Sequence, residues 1–177
     1  MAKIDITDEV AYDRQKVFST FRDELVELIP HLPDVKKITV KEREQVDENT
    51  VKVVNLWEAQ AEEVPRIARS FIKPEMLKWT DYATWRQDAW ECDWQMEVGF
   101  LTDAVTCEGT TYYRQKGEGR TEIAIKGKLE VDAAQIPGVP RLGAGKIGSA
   151  VEGFVVKLIT PNLTNVNRGL ERYLEGK

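Results

Sequence analysis

The chain reads as an α+β fold in which a curved antiparallel sheet of about seven strands wraps a long C-terminal helix. Three observations predict this. Strand-like alternation recurs in consecutive segments from Ile38 to Ala133, and a helical stripe runs from Ile147 to Tyr173 at the end of the chain. Between them, strands do not alternate with helices as a parallel α/β fold requires. The 177 residues suit one domain, 1–177, long enough to bury a sizeable core.

Taken in order, Lys3 to Tyr12 places Ile4, Ile6, Val10 and Tyr12 on one side and Lys3, Asp5 and Thr7 on the other, the pattern of a half-buried strand. Asp13 is placed to cap a helix with its side-chain oxygen. Val17, Phe18, Phe21, Leu25, Leu28 and Ile29 follow at helical spacing until Pro30 and Pro33 stop the run. Ile38 and Val40 then alternate with charged residues, and the polar turn Asp47-Glu48-Asn49 leads into the β-branched run Val51 to Ala59, a hairpin. Unbroken alternation would carry Glu42 and Glu44 onto the face of Ile38 and Val40. Ala61 to Phe71 reads as a mobile connection with some helical character, in which Pro65 suits only a first helical turn.

The cleanest period of two sets Trp90, Cys92, Trp94, Met96 and Val98 against Glu91, Asp93, Gln95 and Glu97. Val105 to Gln115 and Thr121 to Ala133 are joined by a turn whose Gly117 and Gly119 can take a positive φ. In the second of these strands Ile123, Ile125, Leu129 and Val131 share a side. After the Pro/Gly-rich stretch Ile136 to Gly145, Ile147, Val151, Phe154, Val155, Leu158 and Ile159 recur at steps of three and four, and Leu163, Val166, Leu170 and Tyr173 extend the stripe. Pro161 is expected to kink or interrupt that helix.

This β-α-α-β6-α order resembles the helix-grip superfamily (SRPBCC), the START and birch-pollen-allergen-like domains that include polyketide cyclases. The resemblance covers almost the whole chain. It is carried by the element order, by Ile4-Asp5-Ile6-Thr7 followed by helical Asp13-Arg14-Gln15-Lys16-Val17-Phe18, and by the ending Gly148 to Leu158. It implies a cavity between the concave sheet face and the C-terminal helix that relatives use for lipids, sterols, polyketides or plant hormones. No functional residue is carried over by motif.

Composition narrows the function classes. The net charge of −5, with no basic stripe, argues against nucleic acid and anionic membrane surfaces as partners. No apolar run approaches the 18 or so residues of a membrane span, and Met1 to Asp8 lacks a leader pattern, so no stable membrane insertion and a cytoplasmic location are expected. In that compartment Cys92 and Cys107 are expected as free core thiols, and Asn162-Leu163-Thr164 meets no glycosylation machinery. Gly143-Ala144-Gly145-Lys146-Ile147-Gly148 matches the dinucleotide fingerprint by spacing, but a proline-containing stretch separates it from the preceding strand and no parallel strand follows. No cofactor or metal is predicted. The lone His31 sits between Pro30 and Leu32 as a solvated turn residue.

Five tryptophans crowd into the middle of the chain: Trp57, Trp79, Trp85, Trp90 and Trp94. Two readings are open: aromatics dominate ordinary cores, and they also line apolar pockets. On the second reading the cavity-lining candidates are Asn55, Trp57, Trp79, Asp81, Trp85, Trp90, Trp94, Met96, Tyr113, Phe154 and Leu158. Asn55 shares its face with Val51, Val53 and Trp57, and Asp81 shares its face with Trp79 and Trp85. The expected function is binding of a hydrophobic small molecule or lipid, with transfer as an extension, by a monomer or weak homodimer. The segments Glu62 to Pro74 and Ile136 to Gly145 would be the gates. Removing Trp94 is expected to weaken binding more than stability. An enzyme using Asp81, Glu42 or Tyr113 in the same cavity and an interaction domain with a filled core are the rival readings.

Overall fold

A computed structural model describes residues 1–60, 77–99, 103–135, 142 and 144–177; in α2, side chains are described at part of 144–163 and throughout 164–175. Seven strands form one antiparallel sheet: β1 (Ala2–Val10), β2 (Val35–Gln45), β3 (Thr50–Ala59), β4 (Lys78–Arg86), β5 (Glu91–Val98), β6 (Val105–Gln115) and β7 (Thr121–Val131). The order is β1-β7-β6-β5-β4-β3-β2, so the first strand joins the last and β1 and β2 are the open edges. Helix α1 (Arg14–Asp23) and a 3-10 helix (Leu25–His31) connect those edges, and α2 (Ala144–Glu175) ends the chain. This is the α+β helix-grip architecture that the alternation and the element order predict. Among the described residues the sheet contains no parallel pair, so the Gly143 to Gly148 sequence, which runs into the start of α2, has no dinucleotide-binding context.

Pairing register sets the inner face, because residues directly opposite in an antiparallel sheet point the same way. Three rows cross it. Val51, Trp85, Cys92, Thr111, Ile125 and Ile6 form one; Val53, Ala83, Trp94, Gly109, Gly127 and Ile4 the next; Asn55, Asp81, Met96, Cys107, Leu129 and Ala2 the third. Beyond the third row Trp57 lies opposite Trp79, and Trp79 opposite Val98. Both cysteines are buried and free.

One end of this face is plugged by α1. Phe18 meets Trp85, Trp90 and Tyr113 edge-on with centroids 5.2, 5.3 and 5.3 Å apart, and Val17, Phe18 and Leu28 are completely buried. Leu170 and Leu174 of α2 complete that core. Helix α2 is pinned to β1: Asn167 and Arg168 both donate to Asp8 Oδ2, at 2.9 and 2.7 Å, and Arg168 also donates to Glu9 O and Glu171 Oε2. Among the described residues no helix is long and apolar enough to cross a membrane.

Several local expectations change. Asp13 occupies the cap position of α1 without making a capping bond; its Oδ1 accepts from Gly119 N and Gln115 Nε2. The first turn of the helix is capped instead by Gln115, whose Oε1 accepts from Arg14 N at 2.8 Å. A bulge between Val40 and Glu42 reverses the alternation of β2. Glu42 then lies opposite outward-facing Val54, and both Glu42 and Glu44 are exposed, so neither carboxyl points inward. Trp90 is not the start of a strand but the last residue of the β4–β5 turn, at φ +55, beneath the Arg14 guanidinium. His31 ends the 3-10 helix against the Tyr173 ring rather than in open solvent. Helix α2 is assigned without a break across Pro161. The segment Ala61 to Phe71 lies outside the described residues.

Candidate functional site

The inner face is not uniform. At the α1 end Phe18, Trp85 and Tyr113 are buried and interlocked, whereas at the opposite end Trp79, Asp81, Met96, Val98 and Val131 are only half-buried although they point inward. Such residual exposure on an inward face marks space that the protein's own described side chains do not fill. Trp57 and Trp79 stack there with centroids 5.6 Å apart and ring planes 14° from parallel. Their strands are directly paired, which brings the two indoles together as the cross-strand pair Trp57–Trp79.

Asp81 is the polar centre of this floor. It lies opposite Asn55 on β3 and Met96 on β5. Burial pushes its carboxyl up to about 7, while hydrogen bonds from the Asn55 amide and the Trp57 indole act against that rise. The Trp57 contact is loose: among the described residues Trp57 Nε1 has no fully formed hydrogen bond, and Asn55 Oδ1 has no partner either. Both atoms are fully covered.

The sequence candidates therefore separate into two groups. Asn55, Trp57, Trp79, Asp81 and Met96 come together at the half-open end. Trp85, Trp90 and Tyr113 come together around Phe18 in the plugged end. Trp94 lies between them, flat on a platform made by Gly109 and Gly127. A Cβ added at Gly109 would meet the Trp94 ring at 2.6 Å, and one added at Gly127 would meet it at 2.9 Å. The Trp94 indole N–H donates to Thr111 Oγ1 at 3.1 Å, which satisfies its only polar group. The side chains of Phe154 and Leu158 lie outside the described residues, as do Glu62 to Pro74 and most of Ile136 to Gly145.

Periodicity alone missed Val98 and Val131 as members of the half-open end. Their alternation was visible, but nothing in it showed that α1 fills one end of the sheet and stops short of the other. A second concavity, lined by Tyr82, Thr84, Thr110 and Lys126, lies on the outer face. There Lys128 pairs with Glu108, and Asp93 with Arg86. Among the described residues no cluster of three or more His, Cys, Asp or Glu could hold a metal ion.

Comparison with known proteins bears on the fold. No curated protein matches the chain. The Zhui aromatase/cyclase from Streptomyces sp. R1128 is similar in structure at 14% identity and a TM-score of 0.69, over 97% of this chain and 93% of that one. Norcoclaurine synthase from Thalictrum flavum is similar at 15% identity and 0.59, over 98% and 92%. A START superfamily protein from Mycobacterium smegmatis is similar at 15% identity and 0.54, over 98% and 97%. At such identities these likenesses show the fold, and it is the START-like helix-grip fold that the element order suggested. Residues 9–174 match the profile described as "Protein of unknown function (DUF2505)", and the chain belongs to that family.

Proposed function

We propose that the chain binds a hydrophobic small molecule or lipid between the inner sheet face and α2, at the end floored by Trp57, Trp79, Met96 and Val98. One observation carries this reading: Trp79, Met96 and Val98 point inward beside buried Trp57 and are still only partly buried, with a carboxyl set among them. A filled core buries such residues, and an apolar pocket with a few placed polar groups leaves them partly open. The driving force is burial of ligand surface at about 25 cal/mol per Å², less the cost of immobilising the ligand.

Naphthylethanol is a suitable probe, being a flat apolar body with one neutral polar group. In calorimetric titration the wild type is expected to bind it and Trp79→Ala to bind at least about tenfold more weakly, roughly 1.4 kcal/mol, for the loss of half the indole stack. No binding by the wild type contradicts the reading. A second reading, proton transfer to or from the bound molecule by Asp81, is favoured by a carboxyl held near 7, where it serves as acid or base at neutral pH. Its test is turnover of a candidate substrate, lost in Asp81→Asn while binding is kept.

A further inference from the structure

We propose that this site takes an apolar ligand bearing a protonated amine, with Asp81 as its counter-charge and the Trp57–Trp79 stack as the surface for its apolar body. The inference rests on the binding reading above and names the ligand class.

Among the described residues, the ionisable carboxylate and guanidinium groups that the strands place on the inner face are Asp8, Arg43 and Asp81. Asp8 is paired with Arg168 and Arg43 with Asp23. Asp81 has no cationic partner among the described residues; what faces it is the Asn55 amide and the Trp57 indole. Two neutral N–H groups orient a carboxylate without supplying charge, so a buried anion stays costly until a cation arrives.

The ligand classes differ in what they leave unpaired. A ligand carboxylate would set like charges side by side. A hydroxyl would add one hydrogen bond and leave the Asp81 charge unmatched. A protonated amine supplies both the donor and the charge, and the indole faces beside it attract a cation further. As a residue Asp81 is only partly buried, whereas Asn55 and Trp57 beside it are buried.

A protonated amine favours the ionised carboxyl, so its binding at about pH 7 should expel a proton from Asp81. The described titratable groups around Asp81 are Cys92 on β5 and Cys107 and Tyr113 on β6. Burial raises all three, Cys107 to about 12, so they stay neutral over this range. No titratable group of β3 or β7 lies opposite Asp81 along its row.

The test is calorimetric titration of the full chain with naphthylethylamine, naphthylethanol and naphthylacetate, three probes of one shape and different charge. The expected result is an amine affinity at least about tenfold above that of the alcohol. The acetate should bind most weakly, and the amine should release protons at pH 7, seen as heats that depend on the buffer's ionisation enthalpy. In Asp81→Asn the amine preference and the proton release should vanish, and a cooperative urea transition shows that the variant is folded. Equal affinity for amine and alcohol in the wild type, or a preference that survives in Asp81→Asn, overturns the amine assignment and leaves the binding site standing. Failure of all three probes to bind overturns both.

Discussion

A carboxyl that titrates near 7 in the folded chain and near 3.8 in the unfolded one couples folding to pH. Between those values the folded state holds the proton more tightly, so the Asp81 contribution favours folding at low pH and is lost as pH rises through about 7. Asp81→Asn cannot ionise and keeps an oxygen for the Asn55 and Trp57 N–H groups. The variant is therefore expected to match the wild type in urea midpoint at about pH 4 and to exceed it at about pH 8. The gain should be at most about 4 kcal/mol, reduced by the partial exposure of Asp81. A variant less stable than wild type at both pH values would contradict the strained-carboxyl account. Trp94 and its glycine platform belong to the same scale. A Cβ at Gly109 would lie 2.3 Å from Lys126 O and 2.8 Å from Gly127 Cα, and backbone cannot yield as a side chain does. Gly109→Ala should cost about 1 to 3 kcal/mol or more in chemical denaturation. Trp94→Ala should be costly too, at about 3 to 5 kcal/mol, because it removes an indole packed flat on the sheet. The packing thus gives Trp94 a larger structural share than periodicity suggested.

At the scale of elements, the C-terminal half of α2 is held to β1 by a small charged network. Burial alone would raise the Asp8 carboxyl, but hydrogen bonds from Asn167, Arg168 and the Glu9 backbone outweigh it and hold the group below its ordinary value. That stabilisation is present above about 3.8 and lost as pH falls through the lowered folded value. Arg168→Met should cost about 1 to 2 kcal/mol at pH 7, a modest figure because Arg168 is 40% exposed, and the cost should shrink in acid. Thermal melts of both proteins at pH 7 and about pH 3 measure it. Element order and strand faces were legible in the sequence because the inward positions of β5 and β7 alternate with polar residues over most of their length. Asp81 could be placed inward for the same reason, lying two residues from Trp79 and four from Trp85. Glu42 was misplaced because a bulge changes a face without changing the residue pattern that precedes it. The cap on α1 was misread because it comes from Gln115, 101 residues away from Arg14. Local spacing carries no record of such a contact.

For the whole molecule, the inner face is buried and interlocked around Phe18, while at its other end Trp79, Met96, Val98 and Val131 keep partial exposure beside fully buried Cys107 and Leu129. Phe18 of the short α1 packs on Trp85 and Tyr113 whereas Trp57 and Trp79 stack on each other, so the aromatic residues of the middle strands fall into two groups that alternation cannot distinguish. The central claim is that the half-open end is where a ligand sits, and amide shift mapping by NMR during titration with naphthylethanol tests it most directly. The account predicts the largest shifts at 55–57, 79–81 and 96–98, with little change around Phe18 and Tyr113. Shifts confined to the outer face around Tyr82 and Lys126, or none at saturating probe, would contradict it.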